Sequence, residues 1–377
     1  MKNQTTGVST ARECTGWPRG PRVAWTGAAL LATTLMLPTT AHAASATEVT
    51  LYGRAHMSAD WLDAGDESGT YVSSNSSRLG VRASRDIGGL NAHAKYESRV
   101  ALDDGDGSFG LFTGARESFL GIGGDFGIVR AGRITAPMQT HWDRFQLFGD
   151  QAGDVGDFIG GGGRGNRYGN TVVYSTSDWW TPADPYRVTV GIIPAGNDED
   201  AGFLLGFDYE TGPLFLGLSA NYFGSDSPTV SGTENVTALQ LLGNYRFGAT
   251  RLFGIISSVK NRAGIDGADD LAYVIGIGHN LNPSLVLKAQ ALYYNADAAD
   301  MDATAYSFGA DYFLDARTRL FFAVSVVDND DLASFTPWGW GYGDRTGSGS
   351  STRTDNRPAG APGETATAVS IGMRFDF

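Results

Sequence analysis

Four carboxylates crowd one stretch of this chain: Asp143, Asp150, Asp154 and Asp157 fall between Thr135 and Asn166, in TAPMQTHWDRFQLFGDQAGDVGDFIGGGGRGN. What they could do depends on what accompanies them. His141 lies in the stretch and His56, His93 and His279 lie elsewhere, but none stands with a serine and an acid at a recognisable spacing, so a hydrolase reading is weak. The run Gly160 to Gly163 lacks the Gly-Lys-Ser/Thr ending of a phosphate-cradling loop and reads instead as backbone freedom for the return of the chain. Asp103, Asp104 and Asp106, like Asp198 and Asp200, carry oxygen ligands for a divalent cation, but read as solvated external loops. That leaves the stretch from Thr135 to Asn166 as a long acidic loop, a length that is functional or disordered inside a compact domain.

The segments on either side alternate apolar and polar residues. In Val49 to Trp61, Leu51, Gly53, Ala55, Met57, Ala59 and Trp61 share one face, while Tyr52, Arg54, His56, Ser58 and Asp60 share the other. A packed soluble core could not take Arg54, His56 and Asp60 in a row without many partners, whereas a water-filled lumen takes them freely. The last segment puts Val369, Ile371, Met373, Phe375 and Phe377 opposite Ser370, Gly372, Arg374 and Asp376. Sixteen such stretches run from Val49 to Phe377. Short connections such as Gly88-Gly89 and Thr211 to Pro213 alternate with long ones, among them Gly65 to Ser76, Asp103 to Gly114, Thr135 to Asn166 and Asn329 to Glu364. Short turns on one rim and long loops on the other are the asymmetry of an outer-membrane barrel. The expected fold is therefore all-β, a sixteen-stranded antiparallel transmembrane β-barrel with the acidic loop folded into its lumen. Tyr52, Trp61, Tyr96, Phe119, Trp179, Tyr209, Phe223, Phe247, Tyr294, Tyr312 and Phe375 lie near strand ends, as interfacial aromatic girdles would.

Residues 1–43 read as a secretory signal peptide: Arg12, Arg19 and Arg22 precede an apolar run from Val23 to Leu37, followed by Ala41-His42-Ala43. Residues 44–377 then form the barrel, with 135–166 as its constriction loop. Four of the 28 basic and one of the 41 acidic residues belong to the leader, so the remainder carries a net charge of −16. That balance argues against nucleic acid, which needs clustered cations. The single cysteine, Cys14, is in the leader, so stability rests on backbone pairing and burial. No later stretch has the roughly 18 consecutive apolar residues of a membrane helix, and strands of about 10 alternating residues need none.

The segments VTLYGRAHMSADW, SSRLGVRAS with DIGGLNAHAKYE, RESFLGIGGDFGIVRAGR and the terminal Phe377 resemble the trimeric general-diffusion porins of Gram-negative outer membranes, in order along most of the chain. That resemblance implies a third external loop, here Thr135 to Asn166, narrowing the barrel opposite basic wall residues. The inward candidates are Arg54, Arg82, Lys95, Arg99, Arg116 and Arg130, facing Asp143, Asp150, Asp154 and Asp157. It further implies a homotrimer in the cell outer membrane, in contact with lipid and lipopolysaccharide, passing ions and small hydrophilic solutes with no cofactor, metal or catalytic step. Arginines that stay charged, set against carboxylates across a narrow gap, would order water and favour small polar solutes. The acidic mouth and basic waist pull ion preference in opposite directions. An outer-membrane barrel enzyme and a secreted β-rich adhesin are the competing readings; the first lacks a catalytic cluster, and the charged inner faces and Phe377 speak against the second.

Overall fold

The computed structural model describes residues 46–103, 114–178, 183–196, 199–227, 232–339 and 357–377. The expected leader, residues 1–43, and Trp179 lie outside the described residues, as do Asp104, Asp106 and Asp198. Seventeen strands among those described form one closed antiparallel sheet. β1 (Glu48–Asp63) pairs through Glu48 to Arg54 with β3 (Arg78–Ile87), and through Met57 to Asp63 with β2 (Ser68–Ser74). β2 and β3 are thus two pieces of one stave, and the barrel has sixteen. The expected long connection Gly65 to Ser76 is mostly β2, in which Ser68, Thr70 and Val72 are exposed and alternate with Gly69 and Tyr71 ahead of the strand expected from Ser77.

The remaining strands follow in order as neighbours. They are β4 (Leu90–Arg99), β5 (Gly114–Gly124), β6 (Gly127–Thr135), β7 (Arg167–Ser175), β8 (Tyr186–Ile193) and β9 (Gly202–Thr211). Then come β10 (Leu214–Phe223), β11 (Val236–Phe247), β12 (Thr250–Lys260), β13 (Asp270–Asn282), β14 (Leu285–Ala296), β15 (Ala303–Phe313), β16 (Thr318–Asn329) and β17 (Ala366–Asp376). β17 pairs with β1, and Gly53 and Phe377 exchange backbone hydrogen bonds of 2.9 and 3.0 Å across the seam. Closure leaves no unpaired strand edge, which is what lets a sheet stand in hydrocarbon. The outer face is apolar and exposed, as at Leu218, Leu241, Ile275, Phe308 and Ile371. Of the proposed girdle residues, Trp61, Tyr96, Phe247, Tyr312 and Phe375 lie on this face, whereas Tyr52, Phe119, Phe223 and Tyr294 turn inward.

The inner face changes character around the ring. On β1 to β5 it carries charge, but on β10 to β14 it carries Phe223, Leu242, Phe253, Val274 and Leu292, all buried. The loop covers that apolar arc. Its helices α1 (Pro137–Phe145) and α2 (Gly156–Ile159), with the turn between them, bury Met138, Trp142, Phe148, Val155, Phe158 and Ile159 against it in one hydrophobic cluster. The loop backbone meets the wall through side chains: Gln240 donates to the Met138 carbonyl at 3.1 Å, Arg251 to Phe145 at 2.9 Å and Gln290 to Gly153 at 3.0 Å. The bonds to Phe145, at the end of α1, and to Gly153, in the turn, satisfy carbonyls beyond helical pairing. Arg164 pairs with Asp270 on β13, both fully buried, and pins the returning end.

Gly165 closes this packing. A Cβ there would come within 1.9 Å of the Trp142 ring, so the glycine is the space the indole occupies. Trp142→Ala should cost about 3 kcal/mol or more, the usual penalty for deleting a buried aromatic. The check is a lower unfolding temperature, read from heat-modifiable electrophoretic mobility in detergent, with an increased and noisier single-channel conductance as the loop loosens.

Candidate functional site

Strand register sets like charges side by side. Arg54 on β1 stands directly opposite Arg78 on β3, which stands directly opposite Arg99 on β4. Like charges on opposed positions of a ladder repel. The loop supplies the compensation: the Asp150 carboxylate accepts from Arg54 Nη1 at 2.8 Å and from Arg78 Nη2 at 3.0 Å. Asp376, opposite Arg54 on β17, takes its Nε at 2.8 Å.

The next acids come from a β-bulge. The β4–β5 register shifts between Tyr96 and Ser98, so Glu97 faces both Arg116 and Glu117, and both of these are buried on the lumen side. Arg116 Nε donates to Glu97 at 2.7 Å and Lys95 Nζ to Glu117 at 2.5 Å. Glu117 also accepts from the Thr135 amide and hydroxyl, at 3.2 and 2.7 Å, and so fixes the point where the loop leaves the wall. Across β5, Gly132 has φ +143°, and a Cβ there would lie 2.2 Å from the Ser118 carbonyl oxygen, a geometry only glycine takes up.

Between loop and wall lies a cavity of about 530 Å³, lined by eight arginine and lysine side chains and four carboxylates. A second cavity of about 330 Å³, sharing Asp143, Gln146, Gly149 and Arg374 with the first, carries six cations and two carboxylates. A groove of about 690 Å³ on the outer face of β11 to β15 has no charged residue in its lining and belongs to the lipid side. Among the described residues no group of three or more His, Cys, Asp or Glu is arranged around a metal position.

Of the wall residues expected from sequence, Arg54, Lys95, Arg99 and Arg116 line the first cavity, whereas Arg82 and Arg130 line a separate space nearer the short turns. Sequence reading passed over Arg78, Arg133, Arg167 and Arg374, and the Arg246, Arg251, Lys288 and Arg319 group of the second cavity. Arg78 and Arg374 were within reach, because they share the inward parity of Arg82 and Asp376. The four loop acids separate. Asp150 meets the arginines, and Asp143 lines both cavities 4.0 Å from Arg167. Asp154 is buried behind Asp150, taking its amide at 2.7 Å and that of Gly156 at 2.8 Å. Asp157 lines neither cavity and points towards Gly339.

Burial pushes the Asp150 carboxyl up, but Arg78, Arg54 and Arg116 outweigh it and hold it well below the usual carboxylate range. Asp154 has no such partner. Burial and the neighbouring Asp150 charge push it up to about 8, against its two amide donors. The two carboxyls titrate as a pair, with the charge resting on Asp150.

Comparison with known proteins decides the family. The model of the Gram-negative porin family matches residues 27–332. The chain belongs to that family. It is similar to outer membrane porin protein 32 of Delftia acidovorans, at 26% identity over 80% of this chain and 85% of the relative. Its fold matches the anion-selective porin from Comamonas acidovorans, with a TM-score of 0.71 at 23% identity, over 88% of this chain and 100% of that one. OmpF of Salmonella typhi matches with a TM-score of 0.65 at 13% identity, over 87% and 97%. This porin is an outer-membrane, non-enzymatic, water-filled channel through which small hydrophilic solutes diffuse passively.

The buried pair gives a pH test. Asp154 binds a proton in the folded channel up to about pH 8 but ionises near 3.8 when unfolded. Between those values the folded state holds more protons, so its stability falls as pH rises. Unfolding temperature should therefore drop from pH 5 to pH 8, and Asp154→Asn, whose amide stands in for the protonated acid, should flatten that dependence.

Proposed function

We propose that the loop 135–166 and the wall of β1 to β7 form the constriction of this channel, and that the constriction prefers anions. The observation that carries the reading is the lining of the first cavity: eight cations against four carboxylates, in a chain whose formal charge is −13 overall. Exposed acids at the outer mouth act through water and salt, where fields fade over a Debye length of about 8 Å. The waist cations sit between a loop and a sheet, where screening is weaker, so they set the preference. The Comamonas acidovorans protein of similar fold is anion-selective, which agrees with this reading.

The same proposal takes residues 1–43 as a leader removed on export. The apolar outer face then meets membrane lipid and lipopolysaccharide, and part of it meets two further copies in a homotrimer. OmpT of Vibrio cholerae, with a TM-score of 0.60 at 17% identity, is known in a trimer form. Asp143 and Asp150 act in the constriction, Asp150 by holding Arg54 and Arg78 in place. Asp154 acts behind it as a brace.

Replacing Arg78, Arg99 and Arg116 together by glutamine removes three of the eight cations and leaves all four carboxylates. In planar bilayers under a KCl gradient the anion-to-cation permeability ratio should fall by about threefold or more, the order expected for removing charges a few ångströms from the ion path. An unchanged zero-current potential would show that these residues do not control the narrow point.

A further inference from the structure

The charged wall continues beyond the constriction towards the short turns, and its chemistry changes there. In register, Thr50 faces Arg82, Arg82 faces Lys95 and Lys95 faces Phe119; one step further, Ser84 faces His93 and Gly121 faces Arg130. All of these but Gly121 line a further cavity of about 680 Å³, which shares Lys95 with the first and is well inside the roughly 300–1,000 Å³ of small-molecule sites. Rings occupy the wall where side chains are missing. A Cβ on Gly80 would come within 2.3 Å of the Tyr52 ring, and one on Gly121 within 2.3 Å of the His93 ring. Phe119 meets His93 edge to face, with centroids 6.0 Å apart. Cations stand over these rings: the Arg82 guanidinium carbon is 5.2 Å from the Tyr52 centre, Lys95 Nζ is 5.8 Å from it, and the Arg130 guanidinium carbon is 5.7 Å from the Phe119 centre.

We propose that this vestibule is a binding site for aromatic monocarboxylates, solutes that pair a planar apolar ring with one negative charge. Of the three cations in the lining, Lys95 already pairs with Glu117 and Arg130 with Asp178, so Arg82 is the one that suits the carboxylate, while Tyr52, His93 and Phe119 suit the ring, which they meet by offset or edge contacts. A small inorganic anion would use the cations and leave the rings without purpose. A neutral sugar needs acceptors, and the carboxylates of this lining are Glu48 and Asp178, the latter 3.2 Å from Arg130. The site lies on the inner side of the constriction, so a solute that has passed the waist meets it last. The inference rests on the reading that anions pass that waist.

The probe is benzoate, added on the short-turn side of single channels carrying chloride current in planar bilayers, with cyclohexanecarboxylate as the saturated ring of equal charge. Benzoate should reduce the current at about fivefold lower concentration, the order expected for one aromatic contact. Phe119→Leu should bring the two acids together. Arg82→Gln should weaken both alike. Equal potency in the wild-type channel, or a benzoate advantage that survives Phe119→Leu, overturns the proposal. If Phe119→Leu yields no channels, the wild-type comparison of the two acids decides alone. The zero-current potential in KCl without either acid separates the two levels. An anion-favouring potential with equal potency removes only the vestibule site, and a cation-favouring potential overturns the vestibule and the anion-selective waist together.

Discussion

One carboxylate ties the inward loop to the arginines of the wall. Register places Arg54, Arg78 and Arg99 in a row, an arrangement that repulsion would splay, and Asp150 bridges the first two from the opposite side of the lumen. The bridge works in both directions. It lets Arg54 and Arg78 stand opposite each other, and it ties the middle of a long loop to the wall it faces. Without Asp150, Arg54 would keep only Asp376, and Arg78 would lose the carboxylate that it donates to. Asp154 sits behind Asp150 with no cation of its own, so the charge stays on the residue that the arginines need.

The loop has two chemistries because the barrel does. Its apolar side, from Met138 to Ile159, fills the hollow over β10 to β14, and its acidic edge is thereby turned towards β1 to β7. Wall side chains that cap loop carbonyls fix this orientation without any regular strand or helix pairing between loop and barrel. The channel is then the space left over. Its cationic lining contrasts with the acidic chain around it, so on the proposed reading net charge and selectivity are set by different residues.

Strand parity was legible in the sequence because one face must meet lipid and the other water. It placed His56, Ser58 and Asp60 inside and Leu51 and Ile371 outside, where the structure has them. The same parity locates Arg78. Two features were less legible. The bulge at Glu97 puts the consecutive residues Arg116 and Glu117 on one side, which alternation forbids. The apolar inner arc gives strands such as Val236–Phe247 apolar inward residues, Val236, Ala238 and Leu242, mixed with the polar Gln240 and Asn244, a weaker departure from alternation than full burial on both sides would give. Aromatic residues misled for a related reason: Tyr52 and Phe119 lie near strand ends, but their parity is inward.

The most direct measurement is the location of ions in crystals of the protein soaked in rubidium bromide, where anomalous scattering distinguishes the two. The account predicts bromide in the cavity between loop and wall, within hydrogen-bonding reach of Arg78 or Arg99, and no rubidium there. Rubidium beside Asp143 and Asp150, with bromide confined to bulk solvent, would contradict it.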